Sequence, residues 1–360
     1  MQPMHERLSD PGSYQSLQHF ITHSSWAVRS FWQRLRELIP ARDGILAIDD
    51  TGFPKQGTAS VGVQRQYCGA VGKIANCQIA VSTALLADGL AWLTSMELYL
   101  PETWAEDDDQ RARAQIPRSV RVREKWRIAV AHVRTVLAAG FTLEAVVADA
   151  GDENIAAFRA ALERLGVSYV VAVPYFVGAR LADTPRASLA ALANSVAPSM
   201  WHRIRWGRGT KGPLEARFAA VRVRIAKSRS ERWLLCQESL VDGDRQYSVS
   251  NLPADTALKT LVRIARSRWA IEVQYRDLQS ELGLDHFEGR SYPGWNHHAL
   301  LAAMTFTFLQ LERRRRTDPV PTFPEIRHLM RDVMAALLWT ARPGWLKLAI
   351  SFQRNPPLRI

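Results

Sequence analysis

The chain has 360 residues, of which 47% are hydrophobic and 23% are charged, a balance typical of a globular protein and not of a disordered one. Lys and Arg number 47 against 35 Asp and Glu, and the formal net charge of +12 favours a polyanionic partner such as nucleic acid. The cysteines lack metal-ligand spacing, and neither a signal-peptide pattern nor a membrane-length apolar run is present, so we expect a cytoplasmic protein.

The first 175 residues alternate between helix and strand patterns. Apolar residues recur at helical spacing over 14–38, so residues 1–40 are predicted to form a helical segment, interpreted as a shortened DNA-binding region or as packing for the core. Ile45–Asp50 is short, apolar and ends in acid, which is typical of a buried strand. Further strands are predicted at 61–67, 78–86, 143–149 and 169–173, and helices at 122–139 and 154–165. The order strand, helix, strand predicts an α/β core with parallel pairing over 41–175.

The second half of the chain changes character. Alternation over 216–226 and short apolar runs at 233–236 and 247–249 predict a β-rich segment over 176–255. Helical spacing resumes near Ala257, and further helices are predicted near 295–315 and 323–339. We therefore assign residues 256–360 to a helical C-terminal part.

Two of the predicted strands end in acidic residues. Asp49 and Asp50 close the first strand, and Asp149 closes the fourth. Phosphodiester chemistry uses two Mg²⁺ ions about 3.5–4 Å apart, held by converging carboxylates. Asp after a strand is also a common turn or helix-cap residue, so these positions alone do not decide between a metal site and an ordinary loop.

Several blocks resemble insertion-sequence transposases of family 701. They are Ile48-Asp-Asp-Thr-Gly-Phe-Pro-Lys55, Ser60 to Gly69, Asn76 to Val81, Leu98-Tyr-Leu-Pro-Glu-Thr-Trp104, Ala148-Asp-Ala-Gly151, Arg268-Trp-Ala-Ile-Glu272, Glu281 to Ser291 and Trp295-Asn-His-His298. The resemblance runs from about residue 13 to 310. It implies a DDE transposase with a ribonuclease-H-like core interrupted by a β-rich insertion, related to the family 4 transposases.

The resemblance implies three catalytic, metal-binding residues. In the wider group of transposases with this core, which we call the clan, the first metal-binding Asp immediately precedes Thr. This selects Asp50 over Asp49. The second is Asp149, and the third is Glu272 in the Arg-Trp-x-Ile-Glu motif. Glu281 and Glu288 are rivals for the third position.

In the clan a Tyr stands seven residues before the catalytic Glu and a Lys seven residues after it. Ala265 and Gln279 occupy these two positions here. The clan uses the Tyr and the Lys in forming a DNA hairpin, so their absence leaves that step in doubt. Arg268 and Arg276 flank Glu272 at i−4 and i+4, so the three share one helix face. These arginines are interpreted as phosphate contacts or as a surface ion-pair ladder.

Other basic positions are candidates for DNA contact. They are Lys55, Lys73, Arg205, Arg208 and Lys211. The last three lie in the segment 201–212, which interleaves cations with Trp201, Trp206 and glycines, a pattern typical of a nucleic-acid contact or of an ordinary basic hairpin.

The expected function is therefore transposition. The protein would bind double-stranded DNA at the terminal inverted repeats, cleave the element ends and transfer them to target DNA, with Mg²⁺ that Mn²⁺ can replace. A homodimer or higher assembly is expected, since two ends must meet. The alternatives are a DNA-binding regulator derived from a transposase and a general metal-dependent nuclease.

Overall fold

A computed structural model describes residues 13–22, 24–149, 155–181, 184–209, 212–225, 230–315, 320–341 and 344. The strands are β1 (Asp43–Pro54), β2 (Gln64–Cys68), β3 (Lys73–Ala87), β4 (Leu90–Leu98), β5 (Thr142–Ala148), β6 (Tyr169–Val173), β7 (Gly178–Arg180), β8 (Ala187–Ser188), β9 (His202–Gly209), β10 (Gly212–Ile225), β11 (Arg232–Glu238) and β12 (Arg245–Ser250). The helices are α1 (Tyr14–Thr22), α2 (Val28–Leu38), α3 (Glu102–Glu106), α4 (Asp108–Arg113), α5 (Lys125–Ala138), α6 (Ile155–Arg164), α7 (Leu189–Asn194), α8 (Leu258–Ser267), α9 (Trp269–Ser280), α10 (Tyr292–Arg315) and α11 (Phe323–Ala341). The predicted α/β class is confirmed.

Strand β1 lies at the centre of the first part of the sheet. It pairs antiparallel with β3 on one side and parallel with β5 on the other, and β5 pairs parallel with β6. The long β3 also pairs with both β2 and β4. Because Ile48 lies opposite Ala148 in the parallel pair, the acidic residues that follow these two positions emerge at the same edge of the sheet.

The β-rich second part extends the same sheet. Strand β12 pairs antiparallel with β6, and β11, β10 and β7 follow in order. The residues 176–255 therefore continue the edge of the core sheet, with α7 as a short helix among the strands.

Both faces of the central strand are buried. Leu46 and Ile48 pack in a cluster with apolar residues of α5 and α6. Ile45 and Ala47 belong to a second cluster with residues of α8, α9 and α10. A strand covered on both sides is apolar on both faces, which is why this run carries no polar alternation.

The structure differs from the predicted elements in several places: β1 continues to Pro54 beyond its predicted end at Asp50, and the short helices α3, α4 and α7 were not predicted. The pattern over 14–38 forms two helices, separated near Trp26, whose indole N–H donates to the carbonyl of Phe20. The pattern that begins near Ala257 also forms two helices, which meet at Arg268. Strand β4 was not predicted. Within the described residues no helix has the length and apolarity needed to cross a membrane.

Candidate active site

A cavity of about 580 Å³ opens where β5 ends and β1 continues beyond it, paired only with β3. Its acidic lining residues are Asp49, Asp50, Asp149 and Glu272, and its basic ones are Lys125, Arg268 and Arg276. The three carboxylates predicted from the resemblance therefore line one space, although they are separated by up to 222 positions in the sequence.

Helix α9 is held against the sheet by buried contacts. Ile271, Tyr275 and Leu278 are buried on its inner face. The Tyr275 hydroxyl lies 2.6 Å from the hydroxyl of Ser82 and donates to the carbonyl of Asp49 at 3.0 Å. These contacts fix the helix against β1 at Asp49 and against β3 at Ser82. Glu272 follows Ile271 and is thereby directed to the cavity, with 45% of its side chain exposed.

One guanidinium connects carboxylates from three different elements. Arg268 Nη2 donates to Glu272 Oε1 at 2.6 Å and lies 3.4 Å from Asp149 Oδ2. Its Nη1 lies 3.6 Å from Asp49 Oδ2. Such an arrangement keeps close acidic groups from repelling each other. It also shows that one guanidinium reaches all three acids.

The remaining carboxylate has its own cation. Lys125 Nζ, at the first residue of α5, donates to Asp50 Oδ2 at 2.5 Å. Four acidic residues thus face two contacting cations, and the cluster keeps an excess of carboxylates. This excess favours the binding of further positive charge.

The donor chemistry suits a hard divalent cation. Mg²⁺ and Mn²⁺ take oxygen ligands, and the acidic residues here supply carboxylate oxygens only. In the part of the chain that the structure describes, no three His, Cys, Asp or Glu residues are grouped closely enough to hold a metal ion. Arg268 and Lys125 instead lie among the acids, so metal binding requires these contacts to open.

The first half of the chain matches the family model described as DDE superfamily endonuclease, over residues 1–188. The chain belongs to this family. A 164-residue stretch is 30% identical to the probable transposase for insertion sequence element IS701 of Microchaete diplosiphon, covering 44% of this chain and 40% of that protein. The chain therefore spans less than half of the relative's length. A solved Drosophila P element transposase strand transfer complex is similar over 53% of this chain and 47% of that one, at 10% identity and a TM-score of 0.20.

Family membership confirms the resemblance found in the sequence and implies dependence on a divalent metal ion. The alternatives to Glu272 for the third acidic position lie elsewhere. Glu281 Oε2 lies 2.5 Å from Arg327 Nε, and Glu288 lies near Lys55 with 85% of its side chain exposed. Neither lines the cavity.

The other predicted basic residues lie outside the carboxylate cavity. The side chain of Lys55 is only 4% exposed, and its ammonium donates to the carbonyls of Asp285 and Phe287. It fastens the end of β1 to the segment after α9 and is not available to phosphate, which corrects its assignment as a DNA contact. Burial of a lysine is not visible in a single sequence. Lys73 and Arg205 are exposed, whereas the Arg208 side chain and Lys211 lie outside the described residues.

Lys125 is the site residue that sequence reasoning missed. It lies near the start of the helix predicted over 122–139 and is the first residue of α5, where a cation carries no special signal. Only the fold brings its ammonium to Asp50, 75 positions earlier. Asp49 was set aside in favour of its neighbour, yet it also lines the cavity.

The pKa of the Asp49 carboxyl is raised to about 7, mainly by burial. Arg268 lowers this pKa, and the carboxylates of Asp50 and Asp149 add to the rise. The folded chain consequently holds a proton on Asp49 at pH values where the unfolded chain has lost it. This destabilises the folded state progressively as the pH rises from about 4 to about 7.

Asp49→Asn is therefore expected to stabilise the metal-free protein at high pH. The neutral amide removes the cost of ionising a buried acid, so the gain over wild type should grow by about 1–3 kcal/mol between pH 4 and pH 8. Urea unfolding in EDTA at both pH values measures it. Asp255→Asn, at an exposed position, is the control. A gain that does not change with pH would contradict the prediction.

Proposed function

We propose that this chain is a transposase of an insertion sequence. It binds the terminal inverted repeats of its element, cleaves at the element ends and transfers the freed 3′-hydroxyl strands to target DNA. The observation that carries the proposal is the convergence of Asp50, Asp149 and Glu272 on one cavity in a member of the DDE endonucleases.

The fold proposal is a ribonuclease-H-like core. Its support is the strand order β4-β3-β1-β5-β6, in which β3 is antiparallel to β1 while β5 and β6 are parallel to it. Residues 41–175 form the first part of this core, and residues 176–255 are a β-rich insertion before the helix of Glu272. The described helices within 1–40 and 256–360 are helical additions, the latter including that helix; residues 1–12 and 345–360 lie outside the described residues.

Asp50, Asp149 and Glu272 are the residues that would hold two divalent cations, Mg²⁺ with Mn²⁺ as a substitute. Such ions activate the attacking oxygen and stabilise the leaving oxygen of the phosphodiester. Lys125 contacts Asp50, and Arg268 contacts Asp149 and Glu272. If divalent cations displaced these contacts, the lysine and the arginine would be free to bind phosphate.

Arg268 and Arg276 are the proposed phosphate contacts of the site. Both line the carboxylate cavity, and a guanidinium matches two phosphate oxygens at once. Binding a phosphate beside the metals would orient the scissile bond for in-line attack. Lys73, Arg205, Arg208 and Lys211 stay proposals for contacts further along the DNA.

The substrate is double-stranded DNA, both the terminal inverted repeats and the target. The net charge of +12 supports a polyanionic partner. Joining two ends to one target requires two active sites in one assembly, and we propose a homodimer or higher oligomer on the DNA.

Purified protein should cut a duplex carrying the element's end and leave a scrambled duplex of equal length intact. In EDTA the cleavage should disappear, and Mn²⁺ should restore it, because the carboxylates need a divalent partner. The measurement is gel analysis of end-labelled DNA with a second target duplex present. Joined products identify strand transfer.

Two other outcomes of this cleavage assay would indicate a different function. End-specific binding without cleavage in Mg²⁺ or Mn²⁺ would make the chain a DNA-binding regulator and refute the enzymatic proposal. Equal cleavage of the end and the scrambled duplex, without joining, would identify a general nuclease.

A further inference from the structure

A second concave surface lies beside the edge strand β4. It is a groove of about 1480 Å³ between α2, α5 and the start of α10, with Ser95, Met96 and Glu97 of β4 in its lining. Five arginines also line it: Arg29, Arg36, Arg42, Arg121 and Arg123. We call this surface the basic groove.

The acidic residues of the basic groove are already neutralised. Glu37 accepts a hydrogen bond from Arg34 at 3.0 Å. Glu97 is paired with Arg123 and lies 3.7 Å from His132 Nε2. The groove therefore presents an excess of positive charge to any ligand, which favours a polyanion.

Two arginines in this groove are free to bind a ligand. Arg29 and Arg121 are both exposed and line the groove, and no ion pair or hydrogen bond joins either guanidinium to another described residue. Exposed arginines without carboxylate partners are the ordinary ligands of DNA phosphates. These two occupy different walls, since Arg29 belongs to α2 and Arg121 to the segment before α5.

Buried polar atoms of the lining also lack partners. Arg36 is 6% exposed, and its Nη1 donates to the carbonyl of Thr94 at 3.0 Å, but its Nε has no acceptor. His132 is also 6% exposed, and its Nδ1 has no partner. Burial and the nearby Arg29 lower the pKa of Arg36. An uncompensated buried donor such as Arg36 Nε is costly, and a bound anion in the groove would relieve that cost.

The basic groove begins next to the carboxylate cavity. Lys125, which contacts Asp50, is the first residue of α5, and Arg123 precedes it by two positions. The groove is lined by Thr135, Ala138 and Ala139 at the far end of the same helix. A helix of 14 residues is about 21 Å long, which corresponds to about six phosphates along one DNA strand.

We propose that the basic groove binds the sugar–phosphate backbone of the duplex whose scissile phosphodiester lies at the carboxylate cavity. This inference rests on the proposed function and extends it to a second contact surface. Arg29 and Arg121 bind phosphate directly. Arg36 is buried in the lining, where it donates to the carbonyl of Thr94 in β4. Such contacts fix the register of the duplex and do not read its sequence.

The test compares two double variants of equal charge change. Arg29→Glu with Arg121→Glu removes the groove contacts, and Arg118→Glu with Arg134→Glu changes two exposed arginines that do not line the groove. Affinity for a duplex containing the element's end is measured over a range of KCl concentrations, after circular dichroism has verified folding. The groove variant should bind at least about tenfold more weakly, and its salt slope should fall by about two.

The outcomes separate the groove from the proposed function. A loss of affinity and slope confined to the groove variant supports the proposal. Equal losses in both variants would indicate an effect of net charge and overturn it, as would no loss in either. Lost self-association with unchanged DNA binding would make the groove a protein interface and also overturn it. Failure of the wild-type protein to bind any DNA would instead refute the proposed function itself.

Discussion

Asp149→Ala is expected to lower the cleavage rate by at least about a thousandfold, which corresponds to about 4 kcal/mol in activation free energy. The loss follows from the proposed role of this carboxylate as a metal ligand. The folded state should lose little stability, because 53% of the side chain is exposed and its contact with Arg268 is 3.4 Å long. Single-turnover cleavage of an end-labelled duplex in Mg²⁺ measures the rate.

A matched control separates this role from a general effect of charge. Asp255→Ala changes an exposed aspartate and should cleave at the wild-type rate. Affinity of the Asp149→Ala protein for the same duplex should stay within about threefold of wild type, since removing a carboxylate does not remove a phosphate contact. A variant that still cleaves within tenfold of wild type would remove Asp149 from the proposed metal site.

The sequence was informative where local pattern and topology agree. The runs that end at Asp50 and Asp149 are apolar and bounded by turn residues, so their strands were recognisable. Parallel pairing then requires their ends to meet, and the structure pairs Ile48 with Ala148. Glu272 came from the resemblance, because helical spacing alone places it only at the margin of a buried face.

Contacts between distant elements could not be predicted in the same way. Strand β4 is a different case, because the Asp88-Gly89 signal of a two-residue hairpin stands at its start, with positive φ at both residues, and was overlooked. Lys125 and Lys55 are both lysines in unremarkable local sequence. The fold directs Lys125 to Asp50 and buries Lys55 against the segment after α9. Such differences depend on long-range packing, which no local pattern encodes.

Arg268 contacts carboxylates that are proposed to bind metal. Its guanidinium lies near Asp49, Asp149 and Glu272, so it reduces the repulsion among these acids. Divalent cations would compete for the same carboxylates. Released from them, the arginine would still lie at the cavity wall, where a phosphate provides its next partner.

The second large effect is expected at the point of β1 where its pairing with β5 ends and two aspartates are adjacent. Asp49 continues the face of Ile45 and Ala47, and both of its oxygens are engaged, one with the backbone N–H of Asp50 at 3.0 Å and one near Arg268. Asp50 lies on the other face with 36% of its side chain exposed, and its contact is Lys125. The available carboxylate is therefore that of Asp50, which also precedes Thr51 as the resemblance requires.

Asp50→Asn should consequently lose at least about a thousandfold in cleavage, whereas Asp49→Asn should lose at most about tenfold. Asparagine keeps the size of each side chain, so the comparison isolates the charge. Asp49 would then act as a positioning residue that contacts Arg268 and the backbone N–H of Asp50. The Asp49→Asn variant should retain the wild-type dependence on Mg²⁺ concentration. Asp50→Asn should need far more metal for any residual activity, because its site loses a ligand charge. The reverse order of effects would identify Asp49, on the α9 side of the sheet, as the first metal ligand.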